Sequence, residues 1–212
     1  LHLLTPNTTR GNLDLDVEGL ERQIAEITLS WNDKLLELLF SRYPAATAQR
    51  LHDFYTESFP EEYKASIAPE EALIDIQYLE RLEQANPLEV ALNEQLPEEE
   101  GNRQLFYDLK IYKRGEHFTL SAIFPFLDNI GFDIFEEKFT LLTENEIAFA
   151  AIYDFRVRPR SGRQIAPESI NSKILPGLKA VFSGSAENDR LNTLILDAGI
   201  SYREVAIFRT LA

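Results

Sequence analysis

The pattern of apolar and polar positions changes twice between residues 106 and 142. Tyr107, Leu109 and Ile111 alternate with polar residues, and this period of two is typical of a β-strand. The spacing then becomes i, i+3, i+4, i+7, which predicts one apolar helix face made by Leu120, Ile123, Phe124 and Leu127. Gly131 suits the left-handed residue at a helix C-terminus, and a second alternating run follows over 132–142. The segment is predicted to be strand, helix, strand.

The chain downstream continues with one strand and three helices. Residues 147–158 are nearly continuous in apolar character through Tyr153, which favours a central strand covered on both faces. Helical spacing follows from Pro167 to Phe182, where Pro176 and Gly177 are expected to kink or shorten the helix. Further helices are predicted over 187–198 and from Ser201 onward.

The first third of the chain is predicted to be helical. Asp16 is a suitable N-cap, and apolar residues recur every three or four positions from there to Leu38, which predicts one long helix ending near Tyr43. A second helix is expected over about 45–59 and a third from Pro69 to about 86. Because Trp31 carries a large apolar area, we expect it to be a central contact between these helices.

The predicted sheet lacks one expected strand. Strand, helix, strand, strand, helix over 106–182 is the beginning of a ferredoxin-like βαββαβ plan, but no alternating run follows residue 182. Residues 88–93 alternate and reach 106–112 through an acidic turn, which predicts an antiparallel pair. We therefore predict the strand order 88–93, 106–112, 147–158, 132–142, with both helices on one face. The rival is that a second subunit covers the edge of strand 106–112 and makes an obligate dimer.

These elements define an α+β fold with four regions. Residues 1–15 are expected to be the tail of a preceding module, and 16–86 a helical subdomain. Residues 87–184 form the ferredoxin-like module with an antiparallel four-stranded sheet, and 185–212 the helices leading into a downstream domain. The chain does not begin with Met and stops within apolar helical spacing, so we expect a segment of a longer polypeptide.

Composition excludes several function classes. The net charge of −14 argues against nucleic acid or an anionic membrane surface as a partner, since binding phosphates relies on clustered Lys and Arg. No apolar run approaches the roughly 20 residues that a membrane span needs. The absence of cysteine excludes disulfides, thiolate metal sites and thiol nucleophiles, and a cytoplasmic location is expected.

Residues with catalytic or metal-binding chemistry are sparse. The sequence has no G-x-G-x-x-G and no P-loop, and His2, His52 and His117 lack metal-ligand spacing. Ser183-Gly184-Ser185 follows a helix, which favours a helix end over a nucleophile turn. The acidic side chains over 53–62 indicate a solvated helix face. No catalytic, cofactor-binding or metal-binding residue is predicted in this segment.

Three stretches resemble the large bacterial NAD-dependent glutamate dehydrogenases. They are FPEEYKASIAPEEALIDIQYLERL (59–82), LKIYKRGEHFTLSAIFPFLDNIGF (109–132) and ENDRLNTLILDAGISYREVAIFR (187–209). The resemblance covers most of the chain from Trp31 onward. It implies that residues 87–184 are an ACT-like module upstream of a catalytic domain. It also implies a parent enzyme that oxidises L-glutamate to 2-oxoglutarate and ammonium with NAD as cofactor. The expected partners are the other domains of the same polypeptide and further copies of it in a homo-oligomer.

The same resemblance implies an effector site. ACT modules hold small effectors, often amino acids, near the loop between the first strand and the first helix. In this chain that loop contains Arg114, Gly115, His117 and Thr119. Arg114 supplies positive charge, Gly115 permits close approach of the backbone, and exposed amides at a helix N-terminus receive a carboxylate. The alternative is that the module only packs subunits together.

Two function classes follow. The first is a regulatory or assembly segment of an NAD-dependent glutamate dehydrogenase, itself without catalytic activity. The second is a free-standing ACT-like module that binds an amino acid as a sensor. A dinucleotide-binding fingerprint encoded downstream of residue 212 would favour the first class.

Overall fold

A four-stranded antiparallel sheet lies between two layers of helices in the computed structural model, which describes residues 29–95 and 105–211. The spatial order of the strands is β1-β2-β4-β3. Their bounds are β1 Leu88–Glu94, β2 Tyr107–Arg114, β3 Phe132–Glu144 and β4 Ile147–Pro159. This order and the antiparallel pairing confirm the prediction of a permuted module.

The edge of β2 is covered by β1 of the same chain. Val90 lies opposite Ile111, and Leu92 lies opposite Leu109. The rival expectation, that a second subunit covers this edge, is therefore wrong. The acidic turn predicted to connect the two strands lies outside the described residues.

A tight hairpin joins β3 to β4. Asn145 and Glu146 have φ angles of 49° and 66°, and positive φ at both central residues is the geometry that matches the twist of a two-residue hairpin. The register of the pair shifts between Ile134 and Glu136, which places a bulge at Phe135. β4 lies between β2 and β3, which confirms the central position predicted from its apolar character.

One face of the sheet is covered by the helices that follow β2 and β4. They are α5 Leu120–Ile130, α6 Pro167–Ser169, a π-helical segment Ile170–Ile174 and α7 Leu175–Phe182. Ile123, Leu127 and Leu178 pack against Leu109 and Phe155 of the sheet. Both helices therefore lie on one face, as predicted. Among the described residues, the irregularity expected near Pro176 takes the form of the π-helical segment immediately before α7.

Four helices form the layer on the opposite face. They are α1 Trp31–Arg42, α2 Ala45–Ser58, α3 Glu61–Ser66 and α4 Pro69–Leu79. Leu39, Leu51 and Ile76 from these helices share one buried cluster with Tyr112 and Ile152 from the sheet. The helical layer and the sheet therefore share a core.

The start of α1 corrects the prediction of one long helix beginning at Asp16. Ser30 has extended backbone geometry and its hydroxyl accepts from the amide of Asp33, while the Asp33 carboxylate accepts from the amide of Ser30. This capping box begins a new helix at Trp31, so a continuous helix through Ser30 is wrong. The parts of that prediction before residue 29, and the tail predicted over 1–15, lie outside the described residues.

Trp31 lies at the margin of the helical layer, not at its centre. Its side chain is half-buried, and its Nε1 donates a hydrogen bond of 2.8 Å to the carbonyl of Ile67. The rings of Phe59 and Tyr63 contact it edge to face at centroid distances of 6.2 and 6.4 Å. The expectation of a central position is wrong because the break at Ser30 places Trp31 in the first turn of α1.

The end of the chain packs beside α5 and α7. It contains a 3-10 segment Arg190–Thr193, then α8 Leu194–Asp197 and α9 Tyr202–Leu211. Ser201 and Glu204 form a second capping box at the start of α9. The Arg209 guanidinium binds the side chains of Asp189 and Asn192, which ties α9 to the 3-10 segment.

Candidate functional site

A carboxylate is fully buried between the helical layer and the sheet. Asp75 of α4 receives hydrogen bonds of 2.9 and 3.0 Å from the Nζ of Lys110 in β2. The hydroxyls of Tyr63 and Tyr112 donate to the same carboxylate at 2.5 and 2.7 Å. We call these four side chains the Asp75 cluster. The cluster joins α3, α4 and β2 at one point.

Two different periodicities in the sequence bring Asp75, Lys110 and Tyr112 to the surfaces where α4 meets β2. Asp75 lies three residues after Ala72 and four before Leu79, and both neighbours are buried on the inner stripe of α4. Lys110 and Tyr112 share one face of β2 because they are two residues apart. Packing α4 on that face brings the two charges together.

The positive charge of Lys110 balances the negative charge of Asp75 within the cluster, and two further carboxylates lie near the same ammonium group. Burial acts to lower the pKa of Lys110, but the carboxylates of Asp75, Glu71 and Asp154 outweigh it and raise that pKa above its ordinary value. The Glu71 Oε1 lies 2.6 Å from the Lys110 Nζ. Burial, reinforced by the Asp75 charge, also raises the pKa of both tyrosine hydroxyls in the cluster, so they remain donors at neutral pH.

Opposite charges alternate across the sheet beside the cluster. Asp154 lies on β4 between its cross-strand partners Lys110 and Lys138. Arg156 in the next row lies likewise between Asp108 and Glu136, and its Nη1 binds the Glu136 carboxylate at 2.8 Å.

Asp154 differs from the other carboxylates of these rows. Its nearest cationic atom among the described residues is the Lys110 Nζ at 4.0 Å, and no donor there lies within hydrogen-bond distance. Burial raises the pKa of this carboxyl to about 6, although the charge of Lys110 acts in the opposite direction. The environment therefore holds a carboxyl that titrates near neutral pH and keeps free acceptor positions.

A cavity opens next to Asp154 between the helical layer and the outer half of the sheet. We call it the interlayer cleft; its volume is about 500 Å³. Its walls combine apolar and polar side chains, which include Ile67, Leu141, Ile152, Tyr63, Lys138, Thr140 and Asp154. A smaller cavity of about 140 Å³ adjoins it and is lined by Arg156 and the acidic groups of the same rows. Asp154 and Lys138 line both cavities.

The residues predicted to hold an effector lie in and beside one loop, but they do not converge. Arg114 donates from Nη1 to the carbonyl of Leu82, on the side of the helical layer. Gly115 has a φ of +74° and open space where a Cβ would stand. His117 is exposed and its ring lies 6.0 Å from that of Phe139.

Thr119 precedes α5, on the opposite face of the sheet from the helical layer. Its side chain makes no cap hydrogen bond to the helix, and its hydroxyl contacts that of Ser121 at 3.0 Å. The Arg114 side chain and the α5 N-terminus therefore belong to different faces of the sheet. Effector binding by Arg114, Gly115, His117 and Thr119 stays a prediction.

Sequence reasoning missed the Asp75 cluster and the cleft. A usable signal was present on α4, since Asp75 interrupts an otherwise apolar stripe. No local signal linked it to Lys110, which lies 35 residues away. In the described part of the chain, no group of three or more His, Cys, Asp or Glu could hold a metal ion, and no helix is long and apolar enough to cross a membrane.

Comparison with known families divides the chain into three matched parts. Residues 38–82 match helical motif 2 of glutamate dehydrogenase, 87–170 match its ACT3 domain, and 186–212 match its helical motif 3. Asp75 thus lies in the first matched part and Lys110 in the second.

Three curated relatives are similar over nearly the whole chain, and each is an NAD-specific glutamate dehydrogenase. The protein of Halomonas elongata is 26% identical over 200 residues, which cover 94% of this chain. That of Pseudomonas aeruginosa is 28% identical over 204 residues, or 96% of the chain. That of Mycobacterium tuberculosis is 25% identical over 201 residues, or 92% of the chain. The matched region spans 12% of the length of each of these relatives.

Proposed function

We propose that this chain, which belongs to the glutamate dehydrogenase family, is a non-catalytic regulatory or assembly segment of an NAD-dependent glutamate dehydrogenase. The parent enzyme would convert L-glutamate, NAD and water into 2-oxoglutarate, ammonium and NADH. The three family motifs, matched in order along one chain, support this assignment. Because NAD is an intracellular cofactor, we also propose that the parent enzyme is cytoplasmic.

The observation that carries the assembly role is the contact between Asp75 and Lys110. It joins helical motif 2 to the ACT3 domain through a buried charge pair, and the hydroxyls of Tyr63 and Tyr112 donate to the same Asp75 carboxylate. Such a pair fixes one relative position, because any displacement leaves a buried charge without its partner. The segment is thereby suited to hold neighbouring domains in one relative position, or to transmit the position of one domain to the next.

The absence of catalysis in the segment is supported by its sheet and its sequence. Dinucleotides bind at the carboxyl ends of parallel strands, where a glycine-rich turn leads into a helix. The described strands form an antiparallel sheet, and the sequence has no such turn. We therefore propose that NAD and glutamate bind elsewhere in the parent polypeptide.

Amino-acid sensing is a second candidate function, and the start of α5 favours it. The Thr119 side chain does not cap this helix, so its first backbone amides can donate hydrogen bonds to a ligand carboxylate. Open space at Gly115 allows a ligand to approach the backbone of the loop. In this second function the chain would be a free-standing ACT-like module that binds an amino acid as a sensor.

The proposal is tested by comparing the isolated chain with the full-length parent. The isolated chain is expected to form no NADH from L-glutamate and NAD, and turnover above a blank would contradict the absence of catalysis. In the parent, Lys110→Met is expected to change subunit assembly or the response to effectors while turnover persists. Arg50→Met is the matched control because it removes an exposed ion pair, to Glu80, from the same helical layer. If Lys110→Met leaves both assembly and regulation as they are in the control, the segment lacks the proposed role.

A further inference from the structure

Acidic side chains outnumber basic ones where the interlayer cleft meets the smaller cavity. The Lys110 ammonium there is bound by Glu71 and Asp75. The Arg156 guanidinium is bound by Glu136. This excess of negative charge favours a positively charged ligand over an anion, because the unlike charge is attracted and the like charge is repelled. The acidic residues that line the two cavities are Glu62, Glu71, Asp75, Asp108, Glu136 and Asp154, and the basic residues are Lys110, Lys138 and Arg156.

Asp154 is a largely buried carboxylate whose acceptor positions are free. Its side chain is 20% exposed, and no donor in the described part of the chain lies within hydrogen-bond distance of it. The nearest cationic atom among those residues, the Lys110 Nζ, is 4.0 Å away. Lys138 lies opposite Asp154 on β3, but the two side chains form no ion pair. Because a buried carboxylate without a partner is unfavourable, a donor supplied by a ligand would stabilise it.

Apolar walls begin directly beside this carboxylate. Asp154 lines the interlayer cleft together with Ile67, Leu141 and Ile152. Ile67 and Ile152 are both buried and belong to the core that the helical layer shares with the sheet. The cleft volume of about 500 Å³ accommodates a short aliphatic chain. Placing such a chain there removes its apolar surface from water, which favours binding.

We propose that the interlayer cleft binds a primary amine with an aliphatic chain, whose ammonium group donates to Asp154 and whose chain lies against Ile67 and Ile152. An ammonium group has three donors and no acceptor, which suits a carboxylate with free acceptor positions in acidic surroundings. Hydrogen bonds between ionised groups are about twice as strong as neutral ones, so the charged end contributes to affinity. A carboxylate on the same ligand would meet the acidic residues of the smaller cavity, so an amino acid is a poorer ligand than the amine. The site does not include the loop at Arg114, and it does not depend on the proposed function of the parent enzyme.

Calorimetric titration of the chain with 1-pentylamine at about pH 7.5 tests the proposal. Burial raises the pKa of Asp154 to about 6, so its carboxylate is ionised at this pH. Two matched probes are L-norleucine, which is the same amine with an added carboxylate group, and 1-pentanol, which carries a neutral hydroxyl in place of the ammonium group. We expect 1-pentylamine to bind with a Kd at least about tenfold below that of either probe. Binding of either probe as tight as that of 1-pentylamine, or no saturable heat up to about 10 mM 1-pentylamine, would overturn the proposal.

Two aspartate substitutions distinguish this site from a general attraction of amines to an acidic chain. Asp154→Asn is expected to raise the Kd of 1-pentylamine about tenfold, because the ammonium group loses its charged acceptor. Asp53→Asn is the matched control, since Asp53 is exposed on α2 outside the cleft and its loss removes the same charge. This control is expected to leave the Kd unchanged. An equal increase of the Kd in both variants would overturn the proposal.

Lys138→Gln is expected to act in the opposite direction. It removes a positive charge beside Asp154, so the Kd of 1-pentylamine should fall. Lys138 is exposed on the edge strand β3, so its variant is expected to keep the fold, which circular dichroism checks. In the wild-type chain, amide chemical shifts should change at Ile67, Ile152 and their neighbours on addition of 1-pentylamine. A higher Kd in Lys138→Gln, or shift changes confined to the loop at Arg114, would contradict the proposed site.

Discussion

The Nζ of Lys110 lies 2.9 Å from the Oδ1 of Asp75, and this contact crosses the boundary between the helical layer and the sheet. The Asp75 side chain has no exposed surface, and that of Lys110 is 9% exposed. Neither charge is solvated well enough to tolerate the loss of the other. The pair therefore makes the position of α4 on β2 a condition for stable folding.

Replacing Lys110 by Met is expected to destabilise the chain by about 3–5 kcal/mol, because the variant leaves Asp75 charged, buried and without a cation. Urea denaturation followed by circular dichroism measures the change. The double variant Asp75→Leu/Lys110→Met is expected to recover part of this loss, since it removes both charges together.

Arg50→Met is the control for this series. Its ion pair with Glu80 is exposed, so its loss is expected to change the free energy of unfolding by no more than about 1 kcal/mol. If Lys110→Met and Arg50→Met lower the free energy of unfolding equally, the buried Asp75–Lys110 pair has no special role in stability.

Asp154→Asn is expected to stabilise the chain near neutral pH. Burial raises the pKa of Asp154 from 3.8 to about 6, so ionisation is harder in the folded state than in the unfolded state. The stability of the wild type consequently falls as pH rises from about 4 through about 6. Each pKa unit is worth about 1.4 kcal/mol, so the ionised carboxylate costs the folded state about 3 kcal/mol above that range.

Thermal unfolding at two pH values checks this prediction. The Asn side chain does not titrate, so the advantage of the variant over the wild type should be largest at about pH 7.5 and vanish near pH 4. An advantage that stays constant between these values would show that the pKa of Asp154 is not raised.

Gly131→Ala is expected to cost about 1–2 kcal/mol, because the residue has a φ of +101°, which L-residues rarely adopt. An added Cβ would meet the Thr193 Cγ2 at 3.6 Å, an ordinary contact, so the cost arises from the backbone. Gly131→Asn should be tolerated better than Gly131→Ala, since Asn enters the left-handed region more readily. Chemical denaturation of both variants tests this ranking, and a more stable Ala variant would contradict it.

Trp31→Phe is expected to destabilise the chain by about 0.5–1.5 kcal/mol, the usual net contribution of one hydrogen bond. The variant keeps an aromatic ring against Phe59 and Tyr63 but loses the donor to the Ile67 carbonyl. Trp31→Ala should cost less than the 3–5 kcal/mol or so of a fully buried aromatic residue, because the side chain is only half-buried. Denaturant midpoints of both variants measure the two losses.

The sheet was predictable because its information is local. Alternation over 88–93 and 106–112, and the continuous apolar run through Tyr153, identified these strands. Gly131 marked the end of α5 through its backbone requirement. Each of these features is contained in a stretch of about ten residues.

The candidate site was not predictable in the same way. Asp108 and Lys110 made one face of β2 resemble a solvated face, whereas the structure packs α4 on it. The compensation of one buried charge by another depends on residues that are distant in sequence. The break at Ser30 was missed because apolar spacing continues across it, although Ser30 and Asp33 form a recognisable capping box.

Helical motif 2 and the ACT3 domain are expected to form one folding unit held together at the Asp75 cluster. Native-state hydrogen exchange of the slowest amides in α4 and β2 measures whether the two elements open together. We expect one shared opening free energy for both elements, and an equal decrease in both when Lys110 is replaced by Met. A lower opening free energy for α4, unchanged by Lys110→Met, would contradict it.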